Sequence, residues 1–204
     1  MIENILPSVQ TKTHFSKGLL SSSGLVQHCT ALALTKCLVK FQAVDAELRK
    51  VVLALEEDEE DGQWSKRRRE LAREVRRRVP DFQVVVAFSH QKQSDVPGGS
   101  TLQSNPTKIA LLAESAQRLL WLYHRSLPSI VAEARFELGK LLQTFTTGGS
   151  SDQAADTASR LYRVQQLHIL KLLNESDQFV WTTKIGTFKG LIQFTPTSAT
   201  LQDR

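Results

Sequence analysis

Eight cations crowd the stretch from 66 to 78: Lys66, Arg67, Arg68, Arg69, Arg73, Arg76, Arg77 and Arg78. Glu70 and Glu74 oppose them there, so the stretch nets +6. Guanidinium groups are planar, multi-donor heads that suit phosphate oxygens. A concentrated positive field attracts RNA or DNA whatever its sequence. The run KRRRELAREVRRR also reads as a nuclear or nucleolar import signal. A third reading is a solvated helix face, partly neutralised by i,i+4 pairs such as Lys66–Glu70 and Glu74–Arg78. The three readings stay open on the residues alone. Trp64 and Phe82 are the nearest aromatics, too few for a base-stacking platform.

Other chemistry is sparse. His14, His28, His90, His124 and His168 fall in neither HExxH nor a Cys/His ligand spacing. The P-loop, dinucleotide-binding and nucleophile-elbow patterns are missing from the sequence. Gly98-Gly99 and Gly148-Gly149 lack a following lysine and read as linkers. Cys29 and Cys37 lie eight residues apart in one expected helix, a rise of about 12 Å. A disulfide needs Cα atoms within about 7 Å, so both cysteines read as free thiols. The carboxylates concentrate in Glu56-Glu57-Asp58-Glu59-Glu60-Asp61, expected as a solvated loop. That block could also shield the arginines beside it until a partner displaces it. The expectation is a protein that is not an enzyme, with no cofactor, metal or small-molecule substrate.

The elements that must carry these residues are helical. Apolar residues Leu34, Leu38, Phe41, Val44, Leu48, Val51 and Leu55 recur at steps of three and four. They predict one long helix from Leu25 to Leu55, with the Ser21-Ser22-Ser23 cluster supplying a cap. Residues 1–23 are read as a lead-in. Trp64, Leu71, Val75 and Val79 give the arginine segment a buried stripe. The run Phe82 to Phe88 allows a strand, but a short buried helix is preferred beside helical neighbours. His90 to Asn105 is expected as a flexible loop. Asn105-Pro106 opens a helix faced by Ile109, Leu112, Ala116, Leu119, Leu120 and Tyr123. Leu127-Pro128 breaks it. Further helices are expected from Ser129 to Phe145 and from Asp152 to Asn174. Residues 186–204 read as a poorly ordered polar tail.

Composition agrees. The chain has 204 residues, 41% hydrophobic, 23% charged and 7% aromatic, with a net charge of +5. Few aromatics, glycines and prolines favour helices over a β-sandwich. The N-terminus lacks a signal-peptide pattern, and the sequence has no run of about 18 apolar residues. A soluble, intracellular protein without membrane contact is expected. The fold class is all-α, with a compact irregular bundle as the rival to an irregular armadillo- or HEAT-like solenoid segment of stacked antiparallel helices. That segment would span 1–185, with an acidic/basic insert at 56–78.

Several stretches resemble the nucleolar pre-ribosomal-associated protein 1 family. They are Asn4-Ile5-Leu6-Pro7, Lys17-Gly18-Leu19-Leu20, Leu25-Val26-Gln27-His28, Ala31-Leu32-Ala33-Leu34 and Cys37-Leu38-Val39-Lys40. Arg77-Arg78-Val79-Pro80-Asp81-Phe82-Gln83, Leu167-His168-Ile169-Leu170 and Trp181 extend the likeness, patchily, over 1–185. These are helix-packing residues and carry no catalytic motif. The resemblance implies a helical-repeat scaffold for early nucleolar biogenesis of the large ribosomal subunit. Its implied partners are pre-ribosomal RNA and other assembly factors, including an RNA helicase. Family members are far longer, so the chain is read as a fragment or short isoform. The rival function is a helical-repeat adaptor that binds proteins without RNA.

Overall fold

The computed structural model describes residues 2–6, 10–90, 106–134 and 156–175. Within the N-terminal stretch read as a lead-in, a 3-10 turn spans Ile2–Asn4 and a helix, α1, spans Thr11–Leu19. Ile5, Leu6 and Leu19 are buried, so this stretch belongs to the core. Its helix eluded the periodicity because Thr11, Thr13 and Gly18 are weak helix formers.

The long helix is α2, Gly24–Ala54, 31 residues with no proline and no glycine after its first position. Ser23 occupies its N-cap with extended backbone, but its hydroxyl makes no capping bond. The main chain does that work, since the Ser23 carbonyl accepts from the Gln27 amide at 3.0 Å. Leu34, Leu38, Phe41 and Leu48 point inward as expected, whereas Leu55 is 58% exposed. After the acidic turn comes α3, Gln63–Arg78, and then α4, Phe82–His90. The β-branched run at 84–86 therefore lies in a helix, and Phe82, Val85 and Phe88 are its buried face.

Pro106 opens α5, Pro106–Ser126. Leu127 then breaks the helix at φ −138° and ψ 56°, and Pro128 starts α6, Pro128–Glu133. The last described element is α7, Asp156–Glu175. Every element among the described residues is helical, so the all-α class holds. His90, expected to open a loop to Asn105, instead ends α4. The rest of that loop at 91–105, the helix beyond 134, the Gly148-Gly149 break and the tail at 186–204 lie outside the described residues.

α5 is the hub. It packs on α2, α4, α6 and α7, while α1 packs on α2, α3 and α4. Leu112, Ala116, Leu119, Leu120 and Tyr123 are buried on the expected face. Ala110, Glu114, Ser115, Gln117 and Leu122 are buried as well. Helices on several sides of α5 leave it little solvent face; Glu114 and Ser115 find partners inside the protein, while the buried Gln117 Oε1 has none among the described residues. The Tyr123 ring tilts against Phe82 with centroids 5.9 Å apart, and its hydroxyl donates to the Pro80 carbonyl at 3.0 Å.

Candidate nucleic-acid interface

The basic helix begins where the acidic block ends. Glu56 adopts φ 49°, a left-handed turn that reverses the chain after α2. The Glu57 carboxylate then accepts the Trp64 amide at 2.8 Å and the Ser65 amide at 3.4 Å. These are free N–H groups of the first turn of α3, where a negative charge also suits the helix dipole. Asp58 Oδ1 accepts the Glu60 amide at 2.7 Å. Gly62 allows the close approach, since a Cβ there would sit 2.6 Å from the Asp58 carbonyl oxygen. The block is thus a folded turn that caps α3, more than the plain solvated loop its charge implies. Glu56, Glu59 and Glu60 still hold their carboxylates out in solvent.

α3 buries Leu71, Val75 and the adjoining Val79, and this stripe fixes where each cation points. Arg78 shares it. The Arg78 side chain is 8% exposed, and its guanidinium donates to Glu3 at 2.9 Å and to the Leu6 carbonyl at 2.8 Å. Of the eight candidate cations, Arg78 is thus buried and held by its own chain, away from the outer face of the helix. Arg68 turns sideways and donates from Nε to Asp45 of α2 at 2.7 Å. Arg76 reaches across to both carboxylate oxygens of Glu133 in α6, at 2.7 and 2.6 Å. Arg77 pairs with Glu74 at 2.9 Å, and Arg67 lies 5.7 Å from the Trp64 ring centre.

Lys66, Arg69 and Arg73 remain, at i, i+3 and i+7 on the outer face. With Glu70 they line a shallow, open depression of about 400 Å³. Lys66 leans back 3.1 Å from Asp61, not toward the expected Glu70. Arg69 donates to the Glu60 carbonyl. Arg73 is exposed and has no partner among the described residues. The acidic turn therefore touches the first half of the stripe and leaves the second half open. From Lys66 to Arg73 the helix rises about 10 Å, room for more than one phosphate.

A second polar cluster joins α5 to α2 and α7, and the residue spacing had not announced it. Glu114 Oε1 accepts Nε2–H of His168 at 3.1 Å and Nε–H of Arg118 at 2.8 Å. Burial pushes the Glu114 carboxyl up, but hydrogen bonds and charge from His168 and Arg118 outweigh it and hold it below its ordinary value. Trp121 stacks on the His168 ring at 5.6 Å and donates its indole N–H to Glu175 at 3.1 Å. Lys171 sits 4.7 Å over the same indole. His28 Nδ1 lies 3.1 Å from the Ser115 hydroxyl. That hydroxyl donates to the Leu111 carbonyl at 2.9 Å, so it can only accept from the imidazole. The pair runs opposite to a serine activated by a histidine base. Among the described residues, no group of three or more His, Cys, Asp or Glu side chains could hold a metal ion. No described helix is long and apolar enough to cross a membrane.

No protein-family model, curated protein or solved structure matches the chain.

Proposed function

We propose that the chain is a non-catalytic helical scaffold that engages RNA phosphates through the outer face of α3. The setting is early nucleolar biogenesis of the large ribosomal subunit, with pre-ribosomal RNA and other assembly factors, an RNA helicase among them, as partners. The observation that supports RNA engagement is the exposed Lys66–Arg69–Arg73 stripe over an open depression. The nucleolar setting rests on the sequence resemblance described above. An armadillo-like repeat arrangement belongs to the same reading. It draws on the packing of successive helices, α1 on α2, α2 on α3, α4 on α5 and α5 on α6. Exposed Arg67, Arg69 and Arg73 also suit an import receptor, so the run serves localisation to the nucleus and nucleolus.

The test is RNA affinity of the full chain across a salt series. Single-stranded RNA binding through three cations gives a log–log salt slope of about −2. Lys66→Gln, Arg69→Gln and Arg73→Gln together should weaken binding and remove most of that slope. Arg68 and Arg78 are left in place because they hold the fold. Unchanged affinity and slope would overturn the RNA surface. The adaptor reading has its own support, since Asp61, Asp45, Glu133, Glu74 and Glu3 already pair much of the basic helix. It predicts no salt-sensitive RNA binding by the unaltered chain, and a tagged chain that stays out of the nucleolus.

A further inference from the structure

α2 carries a second stripe on the side away from the core, apolar except at Lys36 and Lys50. Leu25, Cys29, Leu32, Lys36, Val39, Ala43, Ala46, Lys50 and Leu53 follow one another at alternating steps of four and three. All nine are exposed, Leu25 at 72%, Val39 at 47% and Leu53 at 71%. The spacing is that of a coiled-coil seam. Over α2 it runs for about 45 Å. Val26 and Ala33 widen its first half and are exposed too. An exposed apolar stripe of this length marks an interaction surface.

The charges along the stripe are lopsided. Lys36, Lys40, Arg49 and Lys50 lie on the exposed side of α2, against one carboxylate there, Glu47. Glu47 is engaged by Lys50 at 2.7 Å. The other carboxylate of the helix, Asp45, is taken up by Arg68, with Arg49 3.8 Å away. Lys40 donates to the Asn4 carbonyl at 3.5 Å, so Lys36 is the cation of this set with no partner among the described residues. A second copy of α2 laid on the first would bring Lys36 and Lys40 against like charges, which is unfavourable in a seam. A helix with an apolar stripe flanked by glutamates or aspartates meets both features.

We infer that the outer face of α2 docks an amphipathic helix of a partner protein with acidic flanks. Leu25, Leu32, Val39 and Leu53 are the apolar contacts. Lys36 and Lys40 choose the partner by charge. The site uses α2 alone and does not depend on RNA binding by α3, so either can fail without the other.

A synthetic helix tests it on the full chain. The probe is a peptide of roughly four heptads with leucine at the seam and glutamate at the flanks. Its control carries lysine at the flanks. Fluorescence anisotropy gives affinity, and N-ethylmaleimide modification of Cys29 reports occupancy of the stripe. Cys29 is exposed, while burial of Cys37 raises its thiol pKa and slows it. The glutamate peptide should bind, protect Cys29, and outcompete the lysine peptide. Lys36→Glu with Lys40→Glu should weaken it about tenfold and reverse the preference. Leu32→Gln with Val39→Gln should weaken both peptides. These positions are exposed, and circular dichroism should show unchanged helix content. Absent binding, equal affinity for the two peptides, or indifference to the α2 substitutions would overturn the inference. So would a dimer of the unaltered chain that the Leu32 and Val39 changes dissolve, since a second copy would then be the occupant.

Discussion

Arg78 ties the first turn of the chain to the end of α3, through Glu3 and the Leu6 carbonyl. Replacing it leaves a buried carbonyl without a donor, and Arg78→Ala should cost about 2–3 kcal/mol. Urea unfolding monitored by circular dichroism reads this directly. Glu3 is exposed at 61%, so Glu3→Gln should cost under about 1 kcal/mol. A pair of equal losses would mean that the ion pair, and not the carbonyl bond, carries the effect. The inward turn of Arg78 was partly legible. Positions 71, 75 and 78 fall at helical spacing on the apolar stripe, and only the habit of reading arginine as surface hid it. The direction of Arg68 was not legible, because Asp45 lies 23 residues away on another helix. Residue type announces a charge, but its partner is a tertiary fact.

At the scale of elements, the acidic turn and the basic helix are one construction. Glu57→Ala removes the acceptor for two free amides and a favourable dipole contact, and should cost about 1 kcal/mol. Glu59→Ala, at a carboxylate in open solvent, should stay within about 0.5 kcal/mol. Thermal unfolding of the two variants side by side checks the contrast. Equal losses would return the block to a mere charge run. The bounds of α2 and α3 were readable from apolar periodicity, and Pro106 and Pro128 marked helix starts as their ring geometry requires. α1 was not readable, because Phe15 and Leu19 are too few to make a pattern in nine residues. The outer stripe of α2 was in the sequence all along. The same helix also carries Leu34, Leu38 and Phe41, and periodicity alone does not say which of two apolar faces meets the core.

For the whole molecule, two buried residues of α5 contribute to the pH response. The folded-state pKa of Glu114 is depressed, so its stabilisation is present above the unfolded value near 4.5. It is lost as pH falls through the lower folded value. Acid titration should therefore show stability dropping below about pH 4.5, and Glu114→Gln should flatten that limb. The same substitution should cost about 1–3 kcal/mol at neutral pH, since Arg118 and His168 lose their ionised acceptor. An acid limb unchanged in the variant would place its origin elsewhere. Tyr123 works at the other end. Burial first, then the charge of Asp81, holds its hydroxyl well above its ordinary value, so stability falls as pH climbs past about 10. Neither behaviour could be read from composition, because Glu114 and Tyr123 acquire it from helices distant in sequence. The docking of α7 has an optical consequence as well. Trp121 touches the His168 ring and the Lys171 ammonium and has its N–H on Glu175. Three groups of one helix thus contact one indole, and its ultraviolet emission serves as a built-in gauge of whether that helix is seated.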